Sequence, residues 1–126
     1  MTSPAVARIA MVTVDCADPR ASAAFCAAAL GGEVAHAQDE YAMVTGAGSS
    51  ALGFGLVEGF TPPAWPDEAG AKQFHLDLAV DDLAEAERAL TALGATVPEF
   101  QPGETWRVLL DPAGHPFCLT AAANWG

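Results

Sequence analysis

The stretch FHLDLAVDDL, residues 74–83, predicts a β-strand that runs directly into an α-helix. Apolar and polar residues alternate through its first part, which is typical of a strand with one buried face. Asp82, followed by Glu85, has the spacing of a capping box at the start of a helix. Leucine and alanine at helical spacing follow as far as Gly94, where a glycine typically ends a helix.

The same order of elements occurs earlier in the chain. Residues 8–16 are a strand candidate, and Asp18-Pro19 provides an N-cap acid with proline at the first helical position. A helix over 19–30 is then expected to end at Gly31-Gly32. Aligning Asp18 with Asp82 also aligns the two preceding strands. This recurrence indicates a duplicated unit, and a chance recurrence within an α+β protein is the alternative.

Three short strands are expected after each helix, separated by glycine, proline, serine and aspartate. They are predicted at 33–36, 41–45, 52–57, 95–100, 106–110 and 117–120. The predicted fold class is therefore α+β, with two βαβββ modules forming a curved mixed sheet with a central cleft. We expect a single domain over 1–126, with module one at 8–58 and module two at 73–122.

The segment between the modules, 59–72, is too rich in proline for a helix or an interior strand. It also contains Phe60 and Trp65, which a solvent-exposed spacer does not need. We therefore expect this linker to pack over apolar surface.

Composition excludes several classes of partner. A chain of 126 residues that is 52% hydrophobic can bury one core, and a formal net charge of -11 repels nucleic acid and anionic membranes. No apolar run has the length of a membrane span, and Met1–Met11 lacks the features of an export signal. Three cysteines without C-x-x-C spacing favour reduced thiols. A cytoplasmic protein is expected.

Strand alternation predicts which side chains face the helices and which face the cleft. The residues expected to face the helices in the first and fifth strands are Val12, Val14, Cys16, Phe74, Leu76, Leu78 and Val80. The opposite, more polar faces are the candidate binding surface, since ligand pockets combine apolar walls with a few convergent polar groups. The candidate ligand-binding residues on these faces are Met11, Thr13, Asp15, Gly55, His75, Asp77 and Cys118.

Aromatic residues near loops and strand ends extend this candidate site. Such rings can stack on a flat ligand, and closing the ends of the core or a dimer interface is an equally good interpretation for any one of them. The strongest aromatic candidate is Trp106, because it begins a strand at the cleft rim. The full aromatic set is Tyr41, Phe60, Trp65, Phe100 and Trp106.

The repeated strand-acid-helix-glycine pattern is joined by two further stretches, ALGATV at 92–97 and LDPAGHPFC at 110–118. With these motifs the chain resembles the vicinal oxygen chelate superfamily, which comprises glyoxalases, bleomycin-resistance proteins and extradiol dioxygenases. It looks most like the small glyoxalase-like members, over nearly its whole length. The family hosts many functions, so the resemblance implies the fold more strongly than an activity.

The resemblance implies four strand positions where the metal enzymes of this family place His, Gln or Glu ligands. In this chain those positions hold Met11, Gly55, His75 and Cys118, and only His75 matches. No cofactor is therefore expected. A divalent metal held by His75 with Asp15 and Asp77 is the less favoured alternative, and Cys118 would favour a soft metal. The more ordinary interpretation of His75 is a cleft histidine held by Asp77 or a backbone carbonyl.

Other motifs are uninformative about catalysis. The run 46–50, GAGSS, is interpreted as a hairpin loop, because no helix and no P-loop lysine follow it. His36 and His115 lie in turn-like contexts. No serine has the G-x-S-x-G arrangement, and no cysteine is paired in sequence with a base.

Two functional hypotheses remain. The first is a binding protein of the bleomycin-resistance type that sequesters an aromatic or apolar natural product, such as an antibiotic, without metal catalysis. The second is a metal-dependent or metal-independent lyase, isomerase or dioxygenase in which His75 acts with Asp77 or Asp15. The resemblance also implies that a homodimer is common, and Trp125 is a candidate for its interface.

Overall fold

A computed structural model describes residues 5–48, 50–63, 65 and 74–125. The predictions about Met1–Pro4, Ser49, Ala64, the linker residues 66–72, Gln73 and Gly126 fall outside these described residues. The chain forms two compact units, of which the first ends at Glu58 and the second begins at Gly59. The fold is α+β, with strands and one α-helix in each unit.

Both units have a strand, a helix and further strands in the same order. The first unit contains β1 Met11–Cys16, α1 Pro19–Leu30, β2 Glu33–Ala37, β3 Tyr41–Thr45 and β4 Ala51–Leu56. The second unit contains β5 Leu76–Val80, α2 Leu83–Ala92, β6 Trp106–Leu110, β7 Pro116–Ala121 and a short 3₁₀ helix, Ala122–Trp125. Within the described residues, no helix is long and apolar enough to cross a membrane.

The two helices begin in the same way, as the repeat predicted. Oδ1 of Asp18 accepts the backbone N–H of Ala21 at 3.2 Å, and Oδ1 of Asp82 accepts that of Glu85 at 3.0 Å. Each aspartate therefore satisfies an N–H group that the first helical turn leaves without a partner. Helix α1 ends at Gly31, which has the left-handed φ of 71° that glycine adopts readily.

The three-stranded sheet of the second unit repeats the arrangement of three of the four strands in the first unit. In the first unit the strand order is β1-β4-β3-β2, with β1 parallel to β4 and the other pairs antiparallel. In the second unit the order is β5-β7-β6, with β5 parallel to β7 and β6 antiparallel to β7. Strand β7 is the central strand of its sheet, and its residues 116–119 are buried.

The predicted strand at 95–100 is wrong, because only Thr96 pairs with a neighbouring strand. Thr96 and Leu110 exchange two backbone hydrogen bonds, at 2.9 Å and 2.8 Å. An antiparallel ladder continued from this pair would next place Pro98 opposite Val108, and proline has no N–H to donate. The side chain of Gln101 bonds Val108 instead: Nε2 donates to its carbonyl at 3.0 Å, and Oε1 accepts its N–H at 2.9 Å.

Removing the Gln101 side chain is expected to destabilise the second unit. Val108 is fully buried, so the variant Gln101→Ala leaves two buried backbone groups without these partners, at a cost of about 1–3 kcal/mol. Urea unfolding followed by circular dichroism measures this cost. Gln38→Ala, which removes an exposed side chain, is the control and should change stability by less than about 0.5 kcal/mol. Equal unfolding midpoints for the two variants would contradict the role given to Gln101.

The alternation predicted for β5 is confirmed at Leu76, Leu78 and Val80, which are less exposed than the residues between them. Two of the residues that were predicted to face the helices are exposed instead. Val12 is 41% exposed and Phe74 is fully exposed. Val12 lies on β1, which is an edge strand, whereas α1 packs on β2, β3 and β4. Phe74 precedes the first paired residue of β5 and is outside the sheet.

The start of the linker packs on the turn between β6 and β7. The ring of Phe60 lies over the imidazole of His115, with centroids 5.2 Å apart. Within the turn, Oδ1 of Asp111 accepts the N–H groups of Ala113 and His115, both at 2.9 Å. Burial raises the pKa of the Asp111 carboxyl, because its desolvation outweighs these two hydrogen bonds. Phe60 thus packs within the second unit, and the ring that it contacts is an imidazole rather than the apolar surface predicted for the linker.

Candidate functional site

The second unit contains a cavity of about 380 Å³. Its volume lies in the range of roughly 300–1,000 Å³ that is usual for small-molecule pockets. The side chains that line it are Trp65, His75, Asp77, Pro102, Thr105, Trp106, Cys118, Thr120, Asn124 and Trp125. Five of the predicted site residues are among them: Trp65, His75, Asp77, Trp106 and Cys118.

Strand register brings the polar lining residues together. Asp77 lies on β5 and His75 immediately precedes this strand, and Nε2 of His75 approaches Oδ1 of Asp77 to 3.3 Å. Asp77 on β5 is the register partner of Cys118 on the parallel strand β7. Thr120 follows Cys118 by two residues and is paired with Trp106 on β6. The sheet of this unit therefore presents Asp77, Cys118, Thr120 and Trp106 on one face.

Two indoles form an apolar wall of the cavity. Trp65 is only 8% exposed and packs with Val108 and Cys118, and Trp106 packs against the same cluster. The Trp65 indole also stacks on the imidazole of His75, with ring centroids 4.9 Å apart and planes inclined by 27°. The stacked rings are therefore part of an aromatic lining of the cavity.

A glycine determines where the Trp106 ring lies. A Cβ atom at Gly103 would overlap Cη2, Cζ3 and Cζ2 of Trp106. The indole therefore packs directly against the backbone of residue 103, which only glycine permits at this separation. A side chain at position 103 would therefore displace the Trp106 indole from this part of the cavity wall.

The polar part of the cavity is acidic and contains a thiol. Nε2 of His75 lies 3.3 Å from Oδ1 of Asp77. Cys118 is 3% exposed, and the ligand atoms of His75, Asp77 and Cys118 all lie within 4.8 Å of one another. Among the described residues that line the cavity, none is lysine or arginine.

The C-terminal residues complete the cavity and were missed by the sequence analysis. The 3₁₀ helix that follows β7 brings Asn124 and Trp125 to its wall. Nε1 of Trp125 donates a hydrogen bond to Oγ1 of Thr120 at 2.7 Å. Strand alternation from Cys118 is a sufficient signal for Thr120, whereas the sequence indicates Trp125 only as a candidate for a dimer interface. Pro102 and Thr105 belong to a loop whose path has no sequence signal.

The remaining predicted site residues do not line this cavity. Met11, Thr13, Asp15, Tyr41 and Gly55 belong to the first unit, where the pairing of β1, β3 and β4 places them on a shared face. Oη of Tyr41 donates to Sδ of Met11 at 3.2 Å. Of the two phenylalanines in the second unit, Phe60 stacks on His115 and Phe100 is 45% exposed. The prediction of a cleft shared by both modules stays a prediction.

The chemistry of the residues at the four implied metal positions does not fit the family's ligand set. Met11 offers a thioether that already accepts a hydrogen bond from Tyr41, and Gly55 has no side chain. Neither residue supplies the nitrogen or oxygen donor that a divalent catalytic ion of this family requires. No catalytic step can therefore be derived from a metal held by that set.

Comparison with known proteins identifies the family to which the chain belongs. The family model described as "Glyoxalase-like domain" matches residues 11–120. No curated protein matches the chain. Solved structures do match it, although sequence identities below 25% make them evidence for the fold alone.

Three of the similar structures illustrate this shared fold. A glyoxalase/bleomycin resistance protein/dioxygenase family enzyme from Burkholderia phytofirmans PsJN is 23% identical, with a TM-score of 0.66 over 90% of this chain and 97% of that one. The trypanothione-dependent glyoxalase I of Leishmania major is 20% identical, with a TM-score of 0.64 over 94% and 89%. The oxidase ChaP-H2 is 21% identical, with a TM-score of 0.63 over 93% and 94%.

Proposed function

Because this chain belongs to the glyoxalase-like domain family, we propose that it is a small-molecule-binding protein that sequesters a flat aromatic or apolar natural product. The guest occupies the cavity of the second unit. Sequestration requires affinity alone, so the proposal needs no acid, base or metal in the site. It assigns the protein a protective role of the antibiotic-resistance type.

The observation that carries the proposal is the aromatic lining of one cavity. All three tryptophans of the chain, Trp65, Trp106 and Trp125, line it. Stacking of a flat guest on an aromatic ring contributes about 1–3 kcal/mol per ring system, and Trp65 already stacks on His75 in this way. The Trp106 indole packs closely on Gly103 at the same wall. A planar guest in this cavity would thus meet aromatic surface from these indoles.

The negative charge of the cavity and of the chain indicates which charge the guest should carry. Asp77 lines the cavity without a neighbouring lysine or arginine among the described lining residues, and the whole chain carries a formal charge of -11. Both features repel an anion and attract a cation. Neutral or cationic planar compounds are therefore the proposed guests.

The proposal also includes the setting in which the protein acts. A cytoplasmic location agrees with the buried cysteines Cys16, Cys26 and Cys118, since a reducing compartment keeps such thiols reduced. A homodimer is the proposed assembly. Nucleic acid and membrane lipid are not among the proposed partners, because the acidic charge of the chain opposes both.

Tryptophan fluorescence tests the proposal, because every tryptophan reports on this cavity. Titration with acridine, a flat tricyclic base, is expected to quench the emission saturably at a dissociation constant below about 1 mM, which corresponds to about -4 kcal/mol. Anthracene-9-carboxylate, a tricycle of similar size and negative charge, should bind more weakly. Decahydronaphthalene, which is apolar but has no aromatic face, is the control for simple hydrophobic burial.

The urea-unfolded protein provides the control for collisional quenching. Its emission should respond to acridine linearly and without saturation. If the folded protein also responds only linearly, and if other neutral planar compounds behave as acridine does, the proposed function is wrong.

A further inference from the structure

The cavity places a thiol beside an imidazole and a carboxylate. One side-chain nitrogen, oxygen or sulfur atom from each of His75, Asp77 and Cys118 lies within 4.8 Å of the other two, and Nε2 of His75 is 3.3 Å from Oδ1 of Asp77. A nucleophile, a neighbouring base and a third group that orients the base are the parts of an activated nucleophile. The sequence pairs no cysteine with a base, whereas the pairing of β5 with β7 brings Cys118 to these two residues.

The imidazole and the carboxylate are placed to assist the loss of the thiol proton. Contacts between a base and a nucleophile are often long in an unliganded protein and shorten when the substrate binds. An imidazole that accepts the proton of Cys118 becomes a cation, and the carboxylate of Asp77 next to it stabilises that charge. The thiolate that remains is the nucleophilic form of cysteine. The three residues can therefore activate a thiol in the wall of the cavity.

The indoles around this thiol hold a flat guest next to it. Cys118 lines the cavity and belongs to the buried cluster that contains Trp65 and against which Trp106 packs. A guest that stacks on these rings is kept near the thiol, and holding two reacting groups together accelerates their reaction. The other two cysteines, Cys16 and Cys26, are buried in the first unit and are not among the lining residues.

We propose that the cavity captures planar electrophilic guests covalently, by addition of the Cys118 thiol to a carbon–carbon double bond that is conjugated to a carbonyl group. The inference rests on the proposed function, because the guest must first bind in the cavity. It concerns only guests that carry such a bond, and quinones of fused aromatic rings are the simplest of them. Acridine has no conjugated carbonyl group, so its binding stays reversible.

The addition balances without any further reactant. The imidazole of His75 accepts the thiol proton, and a bond forms between Sγ of Cys118 and the quinone carbon that is β to one carbonyl group. The electron pair of the double bond moves to the oxygen of that carbonyl, which takes the proton back from the imidazolium. The ring proton on the carbon that now bears sulfur moves to the second oxygen. The product is a hydroquinone thioether that contains every atom of the two reactants.

Two isomeric quinones test the inference by intact mass spectrometry. Under anaerobic conditions, one equivalent of 1,4-anthraquinone is expected to add its full mass to the reduced protein. Peptide mapping should place the adduct on Cys118 and find Cys16 and Cys26 unmodified. The isomer 9,10-anthraquinone is equally flat but has no double bond open to addition. It should quench the tryptophan emission reversibly and leave the mass of the protein unchanged.

The urea-unfolded protein shows what the fold contributes. All three thiols are exposed in it, so the adduct should be spread over them. Addition to Cys118 is expected to be at least about 10-fold slower in urea than in the folded protein, because the unfolded chain does not hold the quinone beside the thiol.

Single substitutions assign the roles, with the rate constant measured at saturating 1,4-anthraquinone so that a change in affinity does not enter. His75→Gln removes the base and should lower this rate constant at least about 10-fold. Asp77→Asn should lower it by a smaller factor, and Asp81→Asn, which changes an exposed acid outside the cavity, should leave it unchanged. Peptide mapping of the wild type assigns Cys118 without any variant, so the assignment does not depend on how Cys118→Ser folds.

The outcomes separate this inference from the proposed function. Saturable quenching by acridine and 9,10-anthraquinone, without an adduct of 1,4-anthraquinone on Cys118, would overturn the covalent capture and leave sequestration standing. A rate constant that changes with neither His75→Gln nor Asp77→Asn would also overturn it. Failure of all three compounds to quench saturably would instead contradict the binding on which both rest.

Discussion

Alanine at position 106 is expected to weaken acridine binding about 30-fold. The variant Trp106→Ala removes the indole that packs with Trp65, Val108 and Cys118 at the cavity wall. Loss of an aromatic stacking surface typically costs about 2 kcal/mol, which corresponds to roughly a 30-fold change in dissociation constant. The quenching titration on Trp65 and Trp125, which the variant retains, measures this change.

A second variant tests the position of the indole rather than its presence. In Gly103→Ala the new Cβ atom cannot coexist with the Trp106 ring in its present place, so the ring must rotate away. The backbone at residue 103 is not in the left-handed region, and alanine therefore adds no conformational strain there. We expect at least about a 5-fold loss of acridine affinity, since about 1 kcal/mol of stacking is lost even when the indole remains nearby.

Phe100→Ala is the matched control for both variants. Phe100 is an aromatic residue of the same unit that is 45% exposed and does not line the cavity. Its removal should leave acridine affinity within a factor of about two, as expected for a surface change. If Trp106→Ala and Phe100→Ala bind acridine equally well, the guest does not stack on Trp106.

Alanine at position 114 is expected to destabilise the second unit by about 3 kcal/mol. Gly114 has a φ of 89°, where a residue with a Cβ atom is strained by about 1–2 kcal/mol. The added Cβ would lie 2.8 Å from Cγ and 2.9 Å from Cβ of Pro62, so the proline must move. Such overpacking costs a further 1–3 kcal/mol or so. Urea unfolding measures the sum.

Gly59→Ala separates the two contributions. Gly59 has a similar positive φ of 69°, but a Cβ atom there would meet nothing within 4 Å. The variant Gly59→Ala is therefore destabilised only by the strained backbone conformation, by about 1–2 kcal/mol. The difference between Gly114→Ala and Gly59→Ala is the contribution of the contact with Pro62. Equal destabilisation by both variants would show that Pro62 does not pack on the turn in solution.

The fold was largely predictable because its signals are local. Asp18 and Asp82 cap their helices through contacts three residues away, and a contact of that range is visible in sequence spacing. The prediction of a strand at 95–100 was wrong for a reason that is also local, because Pro98 has no backbone N–H to donate to a neighbouring strand. The replacement of that ladder by the Gln101 side chain could not be predicted, because it depends on the path of the loop that follows.

The candidate site was only partly predictable because cavities are made by tertiary contacts. His75, Asp77 and Cys118 were selected by strand alternation, which has a fixed period of two. Their mutual approach depends on the pairing of β5 with β7, two strands far apart in sequence. Trp125 lies at the cavity because it belongs to a short 3₁₀ helix, and such a helix has no strong sequence signal.

The tryptophan indole N–H resonances provide the most direct test of guest binding in this cavity. The chain has three tryptophans, and all of them line it. In ¹H–¹⁵N spectra recorded during an acridine titration, the three indole signals are expected to shift together and to saturate at one equivalent. Saturable acridine binding that leaves the indole signals of Trp65 and Trp106 in place would contradict the account.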